Sequence, residues 1–129
     1  MGTFCGAELI FLIGENVATY VKLQAAYASE KSMYGGWKLI GYSGPGENAT
    51  DEASSQTTNF VYAGALTYDT ESNEALDNAW SATNRSKLND CEGAQNWHIA
   101  HVAITTGTDS YNATTECPEL TPNFNAIGK

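Results

Sequence analysis

Two histidines three residues apart, His98 and His101, form the spacing H-x-x-H, which on a helix would place both imidazoles on one metal ion. The surrounding residues 97–105 instead have the pattern of a β-strand. Residues three apart in a strand point to opposite faces, so the two rings cannot reach the same ion. We expect one histidine to be buried or hydrogen-bonded and the other to be solvated, and we predict no metal site.

A second candidate for chemistry is the sequence Gly41-Tyr42-Ser43-Gly44-Pro45, which differs by one residue from the nucleophile elbow G-x-S-x-G of serine hydrolases. Pro45 stands where that elbow has its second glycine, and no helical pattern follows it. The segment is therefore expected to be a turn, and the sequence predicts no catalytic serine.

Acidic side chains are abundant, with 15 Asp and Glu against 6 Lys and Arg and a net charge of −9. A glycosidase needs two carboxylates facing each other across a cleft, but the acids lie in loop-like sequence and spacing selects no pair. The same objection weakens calcium sites at Asp69 and Glu71 or at Asp51 and Glu52. We predict no enzymatic activity and no cofactor. Nucleic acid is excluded as a partner because phosphate binding requires clustered Lys and Arg.

Aromatic residues offer a binding chemistry of a different kind, since flat sugar rings stack on aromatic faces. Trp80, Tyr68 and Tyr111 are the candidate residues for such a surface. The alternative is that the tryptophans fill the interface between helix and sheet, which we expect for Trp37 and Trp97. For Trp80 the sequence leaves both alternatives open.

Three cysteines are present, and Cys91 and Cys117 lie in the polar C-terminal half of the chain. We predict a disulfide between them, which on the chain-entropy estimate would stabilise the fold by about 3 to 4 kcal/mol. Cys5 is then left over as an unpaired thiol or as part of a vector-derived start.

A long helix must precede these groups, because apolar and large side chains recur at three- and four-residue steps through residues 8–34. The face that they mark contains Ile13, Val17, Tyr20, Gln24 and Tyr27. The pair at positions 35 and 36 is expected to end the helix as a glycine cap.

Short alternating runs follow at residues 37–42, 59–63, 65–68, 78–82 and 97–105, and we predict that they are strands. Short links between them favour an antiparallel sheet. The fold class is therefore α+β: a long N-terminal helix packed on a small antiparallel sheet, with a disulfide-closed C-terminal loop. Residues 1–129 form one domain, with residues 1–7 flexible or vector-derived, residues 8–34 helical and residues 35–129 forming sheet and loops.

This order of elements resembles the soluble head domain of type IV pilins and pseudopilins. Several short sequences add to the resemblance: Gln24, Ala26-Tyr27, Glu30, Trp37, Ile40-Gly41-Tyr42, Pro45-Gly46, Leu88-Asn89-Asp90-Cys91 and Leu120-Thr121-Pro122-Asn123-Phe124. Members of the family begin with a leader and an apolar half-helix, neither of which is in this sequence. The resemblance therefore implies a head domain from which the apolar half has been removed.

The resemblance implies a structural subunit of a bacterial surface filament, membrane-anchored before assembly and extracellular afterwards, with a contribution to adhesion. Its partners would be other pilin subunits, bound through the N-terminal helix of the full-length form, and polysaccharide is a further candidate. The assembly residues on that helix would be Ile13, Val17, Tyr20, Gln24 and Tyr27. The alternative function is a secreted carbohydrate-binding or adhesive module that uses exposed aromatic residues.

Overall fold

One long helix precedes all the strands in the computed structural model, which describes residues 14–49, 52–85, 95–105, 108–118, 121 and 123–128. Helix α1 is Gly14–Lys31, with Glu15 in its first turn and Lys31 in its last turn, where each charge complements the helix dipole. Residues 8–13 of the predicted helix lie outside the described residues.

The C-terminal end of α1 differs from the prediction, because the helix ends at Lys31 and not at position 34. Ser32 adopts a left-handed conformation, with a φ of 55°, and its N–H donates to the carbonyl of Ala28 at 2.8 Å. A serine therefore closes the helix where a glycine was expected. Gly35 belongs instead to strand β1, Tyr34–Gly35, which pairs with strand β5, Glu71–Ser72.

A single-turn helix α2, Trp37–Ile40, follows where the sequence predicted a strand over residues 37–42, so that prediction is wrong. The buried side chains of Trp37 and Ile40 are three residues apart, which is a helical spacing. Gly41 ends the turn in the left-handed region, with a φ of 75°.

The remaining strands form one six-stranded antiparallel sheet in the order β2-β3-β4-β6-β7-β8. Their bounds are Glu47–Asn48 for β2, Ser54–Gln56 for β3, Phe60–Gly64 for β4, Leu76–Asn84 for β6, Gln95–His101 for β7 and Tyr111–Thr115 for β8. A short 3-10 helix, Phe124–Ala126, follows β8. The α+β class and the antiparallel pairing are confirmed.

The sheet is larger than the small sheet that we predicted, because two polar regions of the sequence also form strands. Residues 47–56, part of the acid-rich sequence that we described as loop-like, supply β2 and β3, and the polar sequence at 111–115 supplies β8. Residues 65–68, predicted as a strand, form a bend and the start of a turn that is closed by the Thr70 N–H and the Thr67 carbonyl, 3.1 Å apart.

The core lies between α1 and one face of the six-stranded sheet. Cross-strand register places Tyr62, Ala82 and Trp97 side by side on that face, and all three are buried. Phe60 contacts Trp97 edge to face, with ring centroids 5.8 Å apart. Aromatic contacts of this kind add to the stabilisation that burial provides.

Candidate functional site

The inner face of α1 is the surface that the sequence singled out for assembly. Val17, Tyr20 and Gln24 are buried, and Ala28 continues the same face. Tyr27 is half-buried at the margin, where its hydroxyl donates a hydrogen bond to the carboxylate of Glu71. Ile13 lies outside the described residues. The domain therefore uses this face for its own core, and Val17, Tyr20 and Gln24 are not exposed for contact with another subunit as the assembly prediction required.

Gln24 is a buried polar residue in the middle of that face. Its Oε1 accepts from the N–H of Gly35 at 2.7 Å, and its Nε2 donates to the carbonyl of Gly35 at 2.9 Å and to the Tyr20 hydroxyl at 3.1 Å. One side chain thus satisfies both backbone groups of Gly35, which would otherwise be costly to bury. Gln24 fixes strand β1 against the helix.

His101 lies at the other side of the Tyr20 hydroxyl, with its Nε2 3.1 Å from that oxygen. Its ring stacks on Tyr34, with centroids 4.0 Å apart, and meets the ring of Tyr111 edge to face at 5.2 Å. Its Nδ1 has no hydrogen-bond partner among the described residues. We call His101 and these three tyrosines the histidine–tyrosine cluster; it joins α1, β1, β7 and β8.

The histidine–tyrosine cluster is unsuited to acid–base catalysis at neutral pH. Burial lowers the pKa of His101 to about 3 and raises the pKa of Tyr20 and Tyr34, and burial together with the nearby Asp109 carboxylate raises that of Tyr111. A general acid or base works best when its pKa lies near the operating pH. None of these shifts brings a pKa closer to 7. The contacts of the cluster instead support a structural role, in which it holds α1, β1, β7 and β8 together.

The two histidines of H-x-x-H lie on opposite faces of β7, as predicted. His98 is hydrogen-bonded to the Thr114 hydroxyl on the outer face, with Nε2 2.9 Å from Oγ1, whereas His101 is in the core. Within the described parts of the chain, no three His, Cys, Asp or Glu side chains are grouped to hold a metal ion.

The segment that resembles a nucleophile elbow is a loop between α2 and β2, as predicted. The side chain of Asn48 accepts from the N–H of Gly44 at 3.0 Å and donates to the carbonyl of Gly44 at 3.1 Å. Ser43 is exposed on this loop. Asn48 thus closes the turn that directly follows the serine.

The aromatic residues proposed as a binding surface are mostly in the core. Trp80 has no exposed surface, and its Nε1 donates to the Tyr42 hydroxyl at 3.1 Å; Tyr111 is 5% exposed. Of the two alternatives left open for Trp80, the structure shows the core position, and the Tyr111 ring is not part of an exposed platform either. Tyr68 is half-buried. Trp37 and Trp97 are buried, as expected.

Cys117 is part of a disulfide. The other two cysteines, Cys5 and Cys91, lie outside the described residues. The pairing of Cys117 with Cys91 therefore stays a prediction.

Comparison with known proteins identifies no relative of this chain. The sequence matches no protein-family description, and no curated protein or solved structure is significantly similar to it. Within the described residues, none of the helices combines the length and the apolar character needed to cross a bilayer.

Proposed function

We propose that this chain is the head domain of a pilin-like structural subunit that assembles into a bacterial surface filament and catalyses no reaction. The observation that carries the proposal is the one-sided packing of α1. Val17, Tyr20 and Gln24 attach it to the rest of the domain, while its opposite face stays open to solvent. Because only one face of α1 is packed against its own domain, the opposite face is available to contact other subunits.

The outer face of α1 is polar and carries charges of both signs. Its exposed residues are Glu15, Thr19, Lys22, Ala26, Ser29 and Glu30. In the sequence, the apolar run Leu9-Ile10-Phe11-Leu12-Ile13 directly precedes α1. In the proposed filament, the apolar half-helix of the full-length form packs among copies at the centre, and the polar outer face of α1 contacts neighbouring subunits at a larger radius.

The sheet and the C-terminal region then form the exterior of the filament. The disulfide of Cys117, proposed to close a loop with Cys91, restricts the chain next to β8. An acidic exterior, from a net charge of −9, keeps the filament surface soluble.

The test is genetic and uses the complete reading frame in its source bacterium. Deleting the gene should remove a surface filament from sheared cell fractions, and restoring the gene should return a filament that an antibody against this domain labels in electron micrographs. Lys22→Glu, on the outer face of α1, should reduce filament yield, whereas Lys38→Glu, on α2, should not. Recovery of the chain only as a monomer in the medium would refute the proposal.

A further inference from the structure

A groove runs beside the first two strands of the six-stranded sheet. It consists of two adjoining clefts, of about 290 Å³ and about 320 Å³, whose walls share Glu47 and Gln56. The first cleft extends to Val61, and the second extends to Thr58 and Arg85. We call these five residues the polar groove. Volumes of this size are at the lower end of the range for small-molecule sites.

Strand register fixes the floor of the polar groove. Glu47 pairs with Gln56, and Gln56 pairs with Val61. Directly paired residues of antiparallel strands point to the same face, so the three side chains form one row across β2, β3 and β4. With strands about 4.8 Å apart, the row spans roughly 10 Å. Glu47 and Gln56 are exposed, and Val61 is half-buried beside them.

Arg85 is held at the far end of the polar groove by two hydrogen bonds. Its backbone N–H donates to the carbonyl of Asn59 at 2.8 Å, and its Nη1 donates to the carbonyl of Thr57 at 3.1 Å. The second bond orients the guanidinium group, which carries five N–H donors in total. The position of a donor-rich group is therefore set by the backbone of the β3–β4 turn.

The chemistry of the polar groove selects among ligand classes. Glu47 supplies acceptors, Arg85 supplies donors, and the Gln56 amide supplies both. Glu47 and Arg85 carry opposite charges in the wall of the same cleft, so an anionic ligand meets repulsion at Glu47, a cation meets repulsion at Arg85, and a neutral ligand meets neither. A hydroxyl group can both donate and accept a hydrogen bond. A ligand with several hydroxyl groups can therefore pair with the acceptors of Glu47, the donors of Arg85 and the amide of Gln56.

We infer that the polar groove binds a neutral saccharide, with its hydroxyl groups hydrogen-bonded to Glu47, Gln56 and Arg85 and one ring face over Val61. This site differs from the aromatic surface that the sequence suggested, because it uses no aromatic side chain. The inference does not rest on filament assembly, since the polar groove lies within the single 129-residue chain.

The experiment is a titration of the ¹⁵N-labelled chain, followed by two-dimensional NMR, with cellotetraose, maltotetraose and mannotetraose in turn. A heparin tetrasaccharide serves as the anionic comparison. We expect at least one neutral tetrasaccharide to shift the amide signals of residues 47–48, 54–58, 61 and 85. No shift with any neutral tetrasaccharide, shifts confined to other residues, or binding of the heparin fragment alone would overturn the inference.

Variants of two exposed side chains test the assignment of residues. Glu47→Ala and Gln56→Ala should each weaken binding, the first by about tenfold, because it removes a charged hydrogen-bond acceptor. Glu74→Ala removes an exposed carboxylate outside the polar groove and should change Kd by less than about twofold. Equal affinity of the Glu47→Ala and Glu74→Ala proteins, with both spectra showing the native fold, would contradict the site.

Discussion

The side-chain amide of Gln24 forms a pair of hydrogen bonds with the backbone of Gly35, 11 residues further along the chain. This pair has the same donor and acceptor pattern as a bridge between two strands. It connects α1 to β1 at a point where the chain has just left the helix. The position of the helix on the domain therefore depends on one buried polar side chain.

Replacing Gln24 with Ala should destabilise the fold by about 2 to 4 kcal/mol, because the N–H and carbonyl of Gly35 would lose their buried partners. Urea unfolding measures the change. Lys22→Ala, one half-turn away on the exposed face of the same helix, should cost less than about 0.5 kcal/mol. Similar losses in the two proteins would show that the amide pair contributes little.

The stability of the domain should depend on pH through His101. Burial lowers its pKa to about 3 in the folded protein, against about 6.5 in the unfolded chain. Between pH 3 and pH 6.5 the unfolded chain therefore binds one more proton, at His101, than the folded chain does. The contribution of the neutral His101 to the free energy of unfolding should therefore be fully present above pH 6.5. It should fall by up to about 1.4 kcal/mol per pH unit as the pH decreases and level off below pH 3.

The measurement is urea unfolding at pH 7, 6 and 5, where most carboxylates remain ionised. His101→Gln should remove the part of the pH dependence that belongs to the buried imidazole. His98→Gln changes the histidine on the outer face of the same strand and serves as the matched control. Parallel pH profiles for the wild type and His101→Gln would contradict the assignment.

Trp80 should act as a core residue. Trp80→Ala leaves a cavity in the centre of the sheet and removes the donor to the Tyr42 hydroxyl, so we expect a loss of about 3 to 5 kcal/mol. Leu39→Ala removes an exposed apolar side chain from α2 and should cost much less. A Trp80→Ala protein as stable as wild type would mean that the ring is exposed after all.

Two glycines should respond in opposite ways to an added methyl group. A Cβ at Gly36 would lie 2.1 Å from the carbonyl oxygen of Thr67, so Gly36→Ala must displace the backbone of the neighbouring turn and destabilise the fold by more than about 1 kcal/mol. Among the residues that the structure describes, a Cβ at Gly14 meets nothing within 4 Å, and Gly14→Ala should be neutral or stabilising by up to about 1 kcal/mol. Thermal unfolding of the two proteins gives the comparison.

Hydrophobic periodicity predicted α1 and the strands around positions 60, 80 and 97, because each combines a regular pattern with large apolar residues. It failed for Ser54–Gln56, a polar segment that becomes a strand through pairing with β4. It also failed for Trp37–Ile40, since a short apolar run fits a helical turn and a strand equally well.

The candidate site was predictable only in part. The helix face was visible in the spacing of Val17, Tyr20 and Gln24, but the role of Gln24 was not, because its partners are backbone atoms of Gly35. The alternation of strand faces separated His98 from His101 without showing which one is buried. Burial of Trp80 depends on neighbouring strands, which the local pattern does not contain.

Electron cryo-microscopy of the sheared surface filaments tests the central claim most directly. The account predicts density for this domain in every repeat, with α1 toward the filament axis, Lys22 and Ala26 against a neighbouring subunit, and the six-stranded sheet toward solvent. Filaments that lack the domain, or in which the exposed face of α1 points to solvent with no neighbouring subunit against it, would contradict the account.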